Sequence, residues 1–390
     1  MKSQPEFQIG VNYWPARSAM RMWKEFDAGE VREDFARMAE FRLSPVRVFL
    51  LWEDFQPEPL RVSTKALDRL VKLCSDAADS RTGVWITLFT GHMSGANWLP
   101  GWTLSPDAQI TADNPFFRII TGGAVVEESA AGVVNPYESP DLRKAQKIQI
   151  REALSALQGH PALWGWDLGN GSSNVFRPAN PDQGRSWLKE MTGEIKSKDD
   201  KHPVAFGLSR QDLEEDRGIG PADVARCCDL IAMDACPPYP GWVPDNLNAV
   251  FPLFLAEVAS WLADWKPVWI SGFGVATGGD TAAGEQAARC VAESLDLMRT
   301  HGLPGALWRR YSDYAPRLRG NAPFDTLPEE MSCGAFSSDG APKEIAAVLA
   351  GADRKKGSAQ PVRDWIDMGA EEYWRDPGAH LRRLFGRFPK

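Results

Sequence analysis

A parallel (β/α)8 barrel in a single domain is the fold this 390-residue sequence predicts. Short apolar runs alternate with longer amphipathic stretches along most of the chain. The runs are nearly continuous in Val, Ile, Leu and aromatic residues, as strands covered on both faces must be. Eight such strand–helix units can be counted before the last forty residues, and a barrel of this kind absorbs a chain of this length as one domain.

The units follow in order. "FQIGVNYW" (7–14) is strand one, and "VREDFARMAEF" (31–41) places Val31, Phe35, Met38 and Phe41 on one helical face. "SPVRVFLLW" (44–52) is strand two. The helix over 63–79 takes Ser63 or Thr64 as N-cap. "GVWITLFT" (83–90) is strand three. A connection rich in Gly, Asn, Pro and Trp runs from Gly91 to about Pro136, and a loop that long is functional as a rule. A helix (139–157), strand four "ALWGWDLGN" (162–170), a helix and strand five "HPVAFGLS" (202–209) come next. "PADVARCC" is a short helix before strand six, "DLIAMDA" (229–235). A long apolar helix leads to strand seven, "PVWISGFG" (267–274), and another to strand eight, "GALWRRY" (305–311). "PKEIAAVLAG" (342–351) is the eighth helix. Residues 1–350 form the barrel on this reading, and residues 351–390 form a helical tail packed on it.

Composition narrows the function. The net charge is −8 and no basic run stands out, so nucleic acid is not an expected partner. No apolar run approaches the roughly 20 residues that cross a bilayer. The N-terminus lacks the apolar centre of a signal peptide, so a soluble, cytoplasmic protein is expected. The six cysteines have no C-x-x-C spacing and read as reduced packing residues. The five histidines are scattered, so neither a metal nor another cofactor is expected. The sixteen tryptophans are the unusual number. Trp14, Trp52, Trp98, Trp102, Trp166, Trp242 and Trp308 fall at strand ends or in loops, where they would hold a flat ligand, although large barrels also bury many aromatics.

Barrel sites form at the C-terminal ends of the strands. That rule selects Arg47, Trp52, Glu53 and Asp54 from strand two, and His92 and Trp98 after strand three. It selects Asp167, Asn170 and Gly171 from strand four and Ser209 from strand five. From strand six come Asp234, Cys236 and Tyr239, from strand seven Ser271 and Gly272, and from strand eight Trp308, Arg309, Arg310 and Asp313.

In these segments the chain resembles the clan-A barrel glycoside hydrolases that include the family 5 cellulases and mannanases, over nearly its whole length. Arg47 in "PVRVF" matches the arginine of strand two, Asn170 in "WDLGNG" the Asn of the Asn-Glu pair on strand four, and Trp308 the tryptophan of strand eight. The resemblance implies an acid/base glutamate at 171 and a nucleophilic glutamate at 272, yet both positions are glycine. The family's His and Tyr of strand six fall on Asp234 and Cys236. Retaining glycosidases need two carboxylates roughly 5–5.5 Å apart, and glycine supplies neither.

Three readings compete. The chain is an inactivated retaining β-glycosidase, or a non-catalytic relative that binds glycans, or its pocket has been rebuilt for other chemistry. The last is the expectation, with an engineered pocket favoured and the two glycines clearing space for an aromatic ligand. Asp234 would then be the general base of a Kemp-type elimination, made more basic by apolar walls. Trp308 or Trp52 would stack the ring, and Ser209, Tyr239, Arg309 or Arg310 would donate to the developing oxyanion. A salt bridge from Asp234 to one of those arginines is the bland alternative. Cys236 lacks a neighbouring base and reads as packing, Asp167 as a hydrogen-bond partner, and Glu53 and Asp54 as groups that orient Arg47 or a ligand. The expected partner is a small aromatic molecule or a carbohydrate.

Overall fold

The eight apolar runs become eight parallel strands of one closed sheet. They are β1 (Gln8–Tyr13), β2 (Val46–Leu51), β3 (Val84–Thr90), β4 (Leu163–Asp167), β5 (Val204–Ser209), β6 (Leu230–Asp234), β7 (Val268–Phe273) and β8 (Gly305–Trp308). Each pairs with its sequence neighbours, and β1 pairs with β8 to close the barrel. This is a computed structural model, which describes residues 6–105, 118–126, 132–276, 281–357 and 363–389.

A helix follows each strand: α1 (Ala28–Glu40), α2 (Thr64–Asp79), α3 (Pro140–Ala156), α4 (Pro181–Lys196), α5 (Pro221–Cys227), α6 (Phe251–Leu262), α7 (Thr281–Thr300) and α8 (Glu344–Gly351). Ser63 caps α2 through its side chain, accepting from the Ala66 N–H. Helix α1 begins three residues before the apolar period because the Asp27 carboxylate accepts from the N–H groups of Gly29 and Glu30. Helix α6 is apolar almost all round, so it needs cover on its outer side. The C-terminal segment supplies it. Phe385 of α9 (Pro377–Arg387) and Phe388 just after it pack on Phe254 with ring centroids 5.0 and 5.4 Å away, and Trp365 packs beside them.

The connection after β3 is not plain loop. Its described residues form a four-stranded sheet from 92–93, 96–98, 119–121 and 124–126, and a two-stranded pair from 104–105 and 132–133. The rest of that connection, with residues 106–117 and 127–131, lies outside the described residues.

The barrel interior is divided along its axis. Near the N-terminal ends of the strands, Trp85, Trp164 and Trp269 meet at centroid distances of 5.0–5.6 Å and plug the floor. Gly305 makes room for them, since a Cβ there would lie 2.4 Å from the Trp269 ring. Towards the C-terminal ends the filling turns polar. Arg47 is 1% exposed and pairs with buried Asp167. Thr87 Oγ1 accepts from Arg47 Nε at 2.8 Å and donates to Asp167 at 2.8 Å. A buried ion pair so completed is held in place by its own hydrogen bonds. Among the described residues no helix is long and apolar enough to cross a membrane, and no group of three His, Cys, Asp or Glu side chains is placed to hold a metal ion.

Candidate active site at the barrel mouth

The polar end opens into a cavity of about 320 Å³ walled by the ends of the strands and the loops that follow them. Eleven of the residues selected by the strand-end rule line it: Arg47, His92, Asn170, Gly171, Ser209, Asp234, Cys236, Ser271, Gly272, Arg309 and Arg310.

The tryptophans and the tyrosine expected to hold a ligand stand elsewhere. Trp308 is fully buried, edge-on to Phe273 and over Gly274, where a Cβ would lie 2.2 Å from the indole. Trp52 donates to Gln56 Oε1 at 2.8 Å and packs edge-on to Phe89 and Trp102. Trp98 is buried and donates to the Met93 carbonyl at 3.1 Å. Tyr239 lies against Phe251 and donates to the Ala235 carbonyl at 3.2 Å. Each of these large rings finds more apolar area inside than at the mouth and satisfies its polar atom locally where it can. Glu53 and Asp54 pair with Lys24 rather than with Arg47, and Asp313 pairs with Lys343.

The aromatic group that does reach the cavity is Trp14, stacked on Phe49 at 5.5 Å. It closes β1, so the strand-end rule applied to strand one would have found it, together with Asn12. Asn12 Nδ2 donates to the Ser271 carbonyl at 2.9 Å. Its Oδ1, like the Nε1 of Trp14, has no hydrogen-bond partner among the described residues. Both are thus buried polar atoms without a protein partner, in residues that line the cavity.

Glu330 is the charged group that strand reasoning missed. It arrives on the segment Pro328–Ser332 after β8 and accepts from Arg309 at 2.6 Å, from Arg310 at 2.6 Å and from Ser94 at 3.1 Å. Burial alone would raise its pKa, but the guanidiniums of Arg309 and Arg310 win and hold it down at about 2. The adjacent pair of arginines was the available signal, since two cations at a strand end need a countercharge. That countercharge is Glu330. Asp234 forms no ion pair with either arginine among the described residues.

Asp234 instead sits beside Gly272, to which it is registered across β6 and β7 at an irregularity in the ladder. Its Oδ1 accepts from the Cys236 N–H at 3.0 Å. A Cβ built on Gly272 would lie 2.8 Å from that oxygen and 3.1 Å from the Cys236 sulfur. The space in front of Gly272 is therefore filled, not cleared. Burial, followed by the Asp234 charge, pushes the Cys236 thiol well above its ordinary value, so it is a proton donor and not a nucleophile.

The other glycine has its own neighbour. Gly171 adopts φ +55°, and a Cβ there would meet His92 at 3.5 Å and Asn174 Nδ2 at 3.3 Å. His92 is held twice: its carbonyl accepts from Asn170 Nδ2 at 2.9 Å, and its Nδ1 lies 2.8 Å from Asn97 Oδ1. Asn97 Nδ2 donates to the Asn174 carbonyl, so Oδ1 is the acceptor and His92 Nδ1 carries the proton. Burial pulls the imidazole below its ordinary pKa, against the Asn97 bond and the charges of Asp234 and Glu330.

No family model matches the chain. Two curated proteins of Aspergillus terreus (strain NIH 2624 / FGSC A1156) are similar to parts of it. Probable mannan endo-1,4-beta-mannosidase C is 32% identical over 81 residues, 18% of this chain and 20% of its own. Probable mannan endo-1,4-beta-mannosidase A-2 is 27% identical over 198 residues, 45% of each. The chain spans less than half the length of these curated relatives. Among solved structures, a GH5_18 variant from Streptomyces cattleya in complex with Manb1-4GlcNAc superposes with a TM-score of 0.76 at 22% identity, covering 97% of this chain and 90% of that one. The fold is that of the glycoside hydrolase barrels of the family 5 type.

Proposed function

We propose that this protein is a carbohydrate-recognising barrel whose mouth takes a short saccharide of the Manb1-4GlcNAc kind. One observation carries the reading: the cavity at the strand ends keeps a buried acceptor, Asn12 Oδ1, and a buried donor, Trp14 Nε1, without protein partners. Its volume of about 320 Å³ lies at the lower end of the range for small-molecule sites. A ring hydroxyl donates and accepts, which is what such a wall needs. The crystallised neighbour with Manb1-4GlcNAc has the same fold.

The elimination chemistry expected at Asp234 has less support. It relied on aromatic walls, whereas Asp234 faces the Cys236 amide, the thiol and the field of Arg309, and the rings meant to stack a substrate are sealed in the core. Space in front of Gly272 was the other argument for a rebuilt pocket, and that space is occupied.

Calorimetric titration with Manb1-4GlcNAc tests the proposal. Saturable binding is expected, weakened about tenfold or more by Asn12→Ala, which removes a buried acceptor. No heat of binding with this disaccharide or with mannobiose would remove the reading.

A further inference from the structure

Both glycines stand against a reactive side chain from another element. On the reading that the cavity holds a saccharide, we infer that Asp234 and His92 form a relocated catalytic pair that hydrolyses its glycosidic bond.

The argument starts from what the reaction needs. Cleaving a glycoside takes a carboxylate near C1 and a proton donor near the leaving oxygen, at opposite sides of one small site. Glu330 is disqualified as either, because its two oxygens are saturated by Arg309, Arg310 and Ser94. Arg47 holds Asp167 out of reach beneath the floor of the cavity. Glu329 also borders the cavity but is exposed at its rim, which leaves Asp234 as the half-buried carboxylate on the wall without an ion-pair partner among the described residues. Its Oδ1 occupies the place where a side chain on Gly272 would begin. A charge has in effect moved one strand over, from the end of β7 to the end of β6.

His92 stands in the same relation to Gly171. Its Cβ and Cδ2 lie 3.5 and 3.7 Å from where a Cβ on that glycine would be. Nδ1 is committed to Asn97, and Nε2 has no partner among the described residues. A ring fixed by one nitrogen and free at the other is the arrangement of a general acid–base histidine. A side chain at 272 would meet the Asp234 carboxylate at 2.8 Å, and one at 171 would stand in van der Waals contact with the imidazole.

The steps balance. An Asp234 oxygen bonds to C1 as the bond from C1 to the leaving oxygen breaks, and that oxygen takes the proton from His92 Nε2. Water then yields a proton to Nε2 while its oxygen bonds to C1 and the ester to Asp234 breaks. One water is consumed, one glycosidic bond is hydrolysed, and both groups return to their starting states.

The groups facing His92 are Asp234 from β6, Glu330 from the segment after β8, Asn97 from the inserted sheet, and Asn170 and Asn174 from the segment after β4. The carboxylates favour the imidazolium and burial opposes it. The acid form therefore predominates only below the ordinary histidine range, and turnover rises as pH falls below about 6.5.

The purified protein is assayed on Manb1-4GlcNAc and on aryl β-mannosides, with product anomers followed by NMR. Expected are hydrolysis with retention, loss of turnover but not of disaccharide binding in Asp234→Asn, and a glycosyl azide from Asp234→Gly in added azide. His92→Gln is expected to lose about 10²–10⁴-fold on the disaccharide and far less on a dinitrophenyl mannoside, whose leaving group needs no proton. Binding without turnover by the unaltered protein overturns the pair and leaves the binding proposal standing. Turnover that survives Asp234→Asn also overturns it. Absence of binding removes both.

Discussion

The floor and the mouth of the barrel are built from the two ends of the same strands and solve opposite problems. At the floor, Trp85, Trp164 and Trp269 fill the lumen with rings and leave little for water to bind. At the mouth, Arg47, Asp167, Thr87, Asn12 and Ser271 fill a similar cross-section with groups that must each find a partner. Packing alone secures the first. The second is secure only where every bond is made, and it stops being so at Asn12 Oδ1 and Trp14 Nε1, where the cavity begins.

The contrast can be broken from either end. Trp269→Ala should lower unfolding free energy by about 3–5 kcal/mol while disaccharide affinity stays within twofold, read by denaturant melts and calorimetry. Arg47→Ala should be nearly as damaging, about 3–5 kcal/mol, because it strands the Asp167 carboxylate, but here binding should fall as well. Equal effects of the two substitutions on binding would erase the distinction between floor and mouth.

A titration sharpens it. Asp34 on α1 accepts from Tyr13 and Tyr311 beside the mouth at 3.0 and 2.9 Å. Burial drives its pKa up to about 7, against those two hydrogen bonds. Between the unfolded value of 3.8 and about 7 the folded protein therefore binds more protons than the unfolded chain. Stability should fall as pH rises through that window, by on the order of 2–4 kcal/mol, and Asp34→Asn should flatten the curve. Glu330 has the opposite sign: its contribution is present above about 4.5 and is lost as pH falls towards 2. The smallest effect belongs to Gly171→Ala. At φ +55° a Cβ costs about 1–2 kcal/mol, visible as a drop of a few degrees in Tm without loss of fold.

What could be read beforehand depended on how local each signal was. The eight strands lie within three residues of where their apolar runs placed them at either end, because a strand buried on both faces announces itself in its own residues. The sheet inserted after β3 was invisible: strands such as His92–Met93 and Ala96–Trp98 are too short to show a period, and they exist through pairing with residues 119–126. The strand-end rule reached Asp234, Gly272, Asn170 and Gly171, which line the cavity, and also selected large aromatics that lie buried outside it. Trp308 and Trp52 obey the stronger demand of their own surface area. Glu330 belongs to a segment whose position is set by partners twenty residues back and on the far side of the chain, Arg310 and Ser94, and no local pattern marks it.

The two segments that overhang the cavity are tied to each other at their outer margin. Arg118 grips Asp325 through two bonds of 2.6 Å, and both side chains are partly open to solvent. Salt screens such a pair, while the Glu330 bonds deeper in are shielded from it. Ionic strength therefore weakens this outer tie without touching the Glu330 bonds deeper in. A saccharide should enter and leave faster in concentrated salt at nearly unchanged equilibrium affinity, so that the medium sets the tempo of exchange and the wall sets its strength.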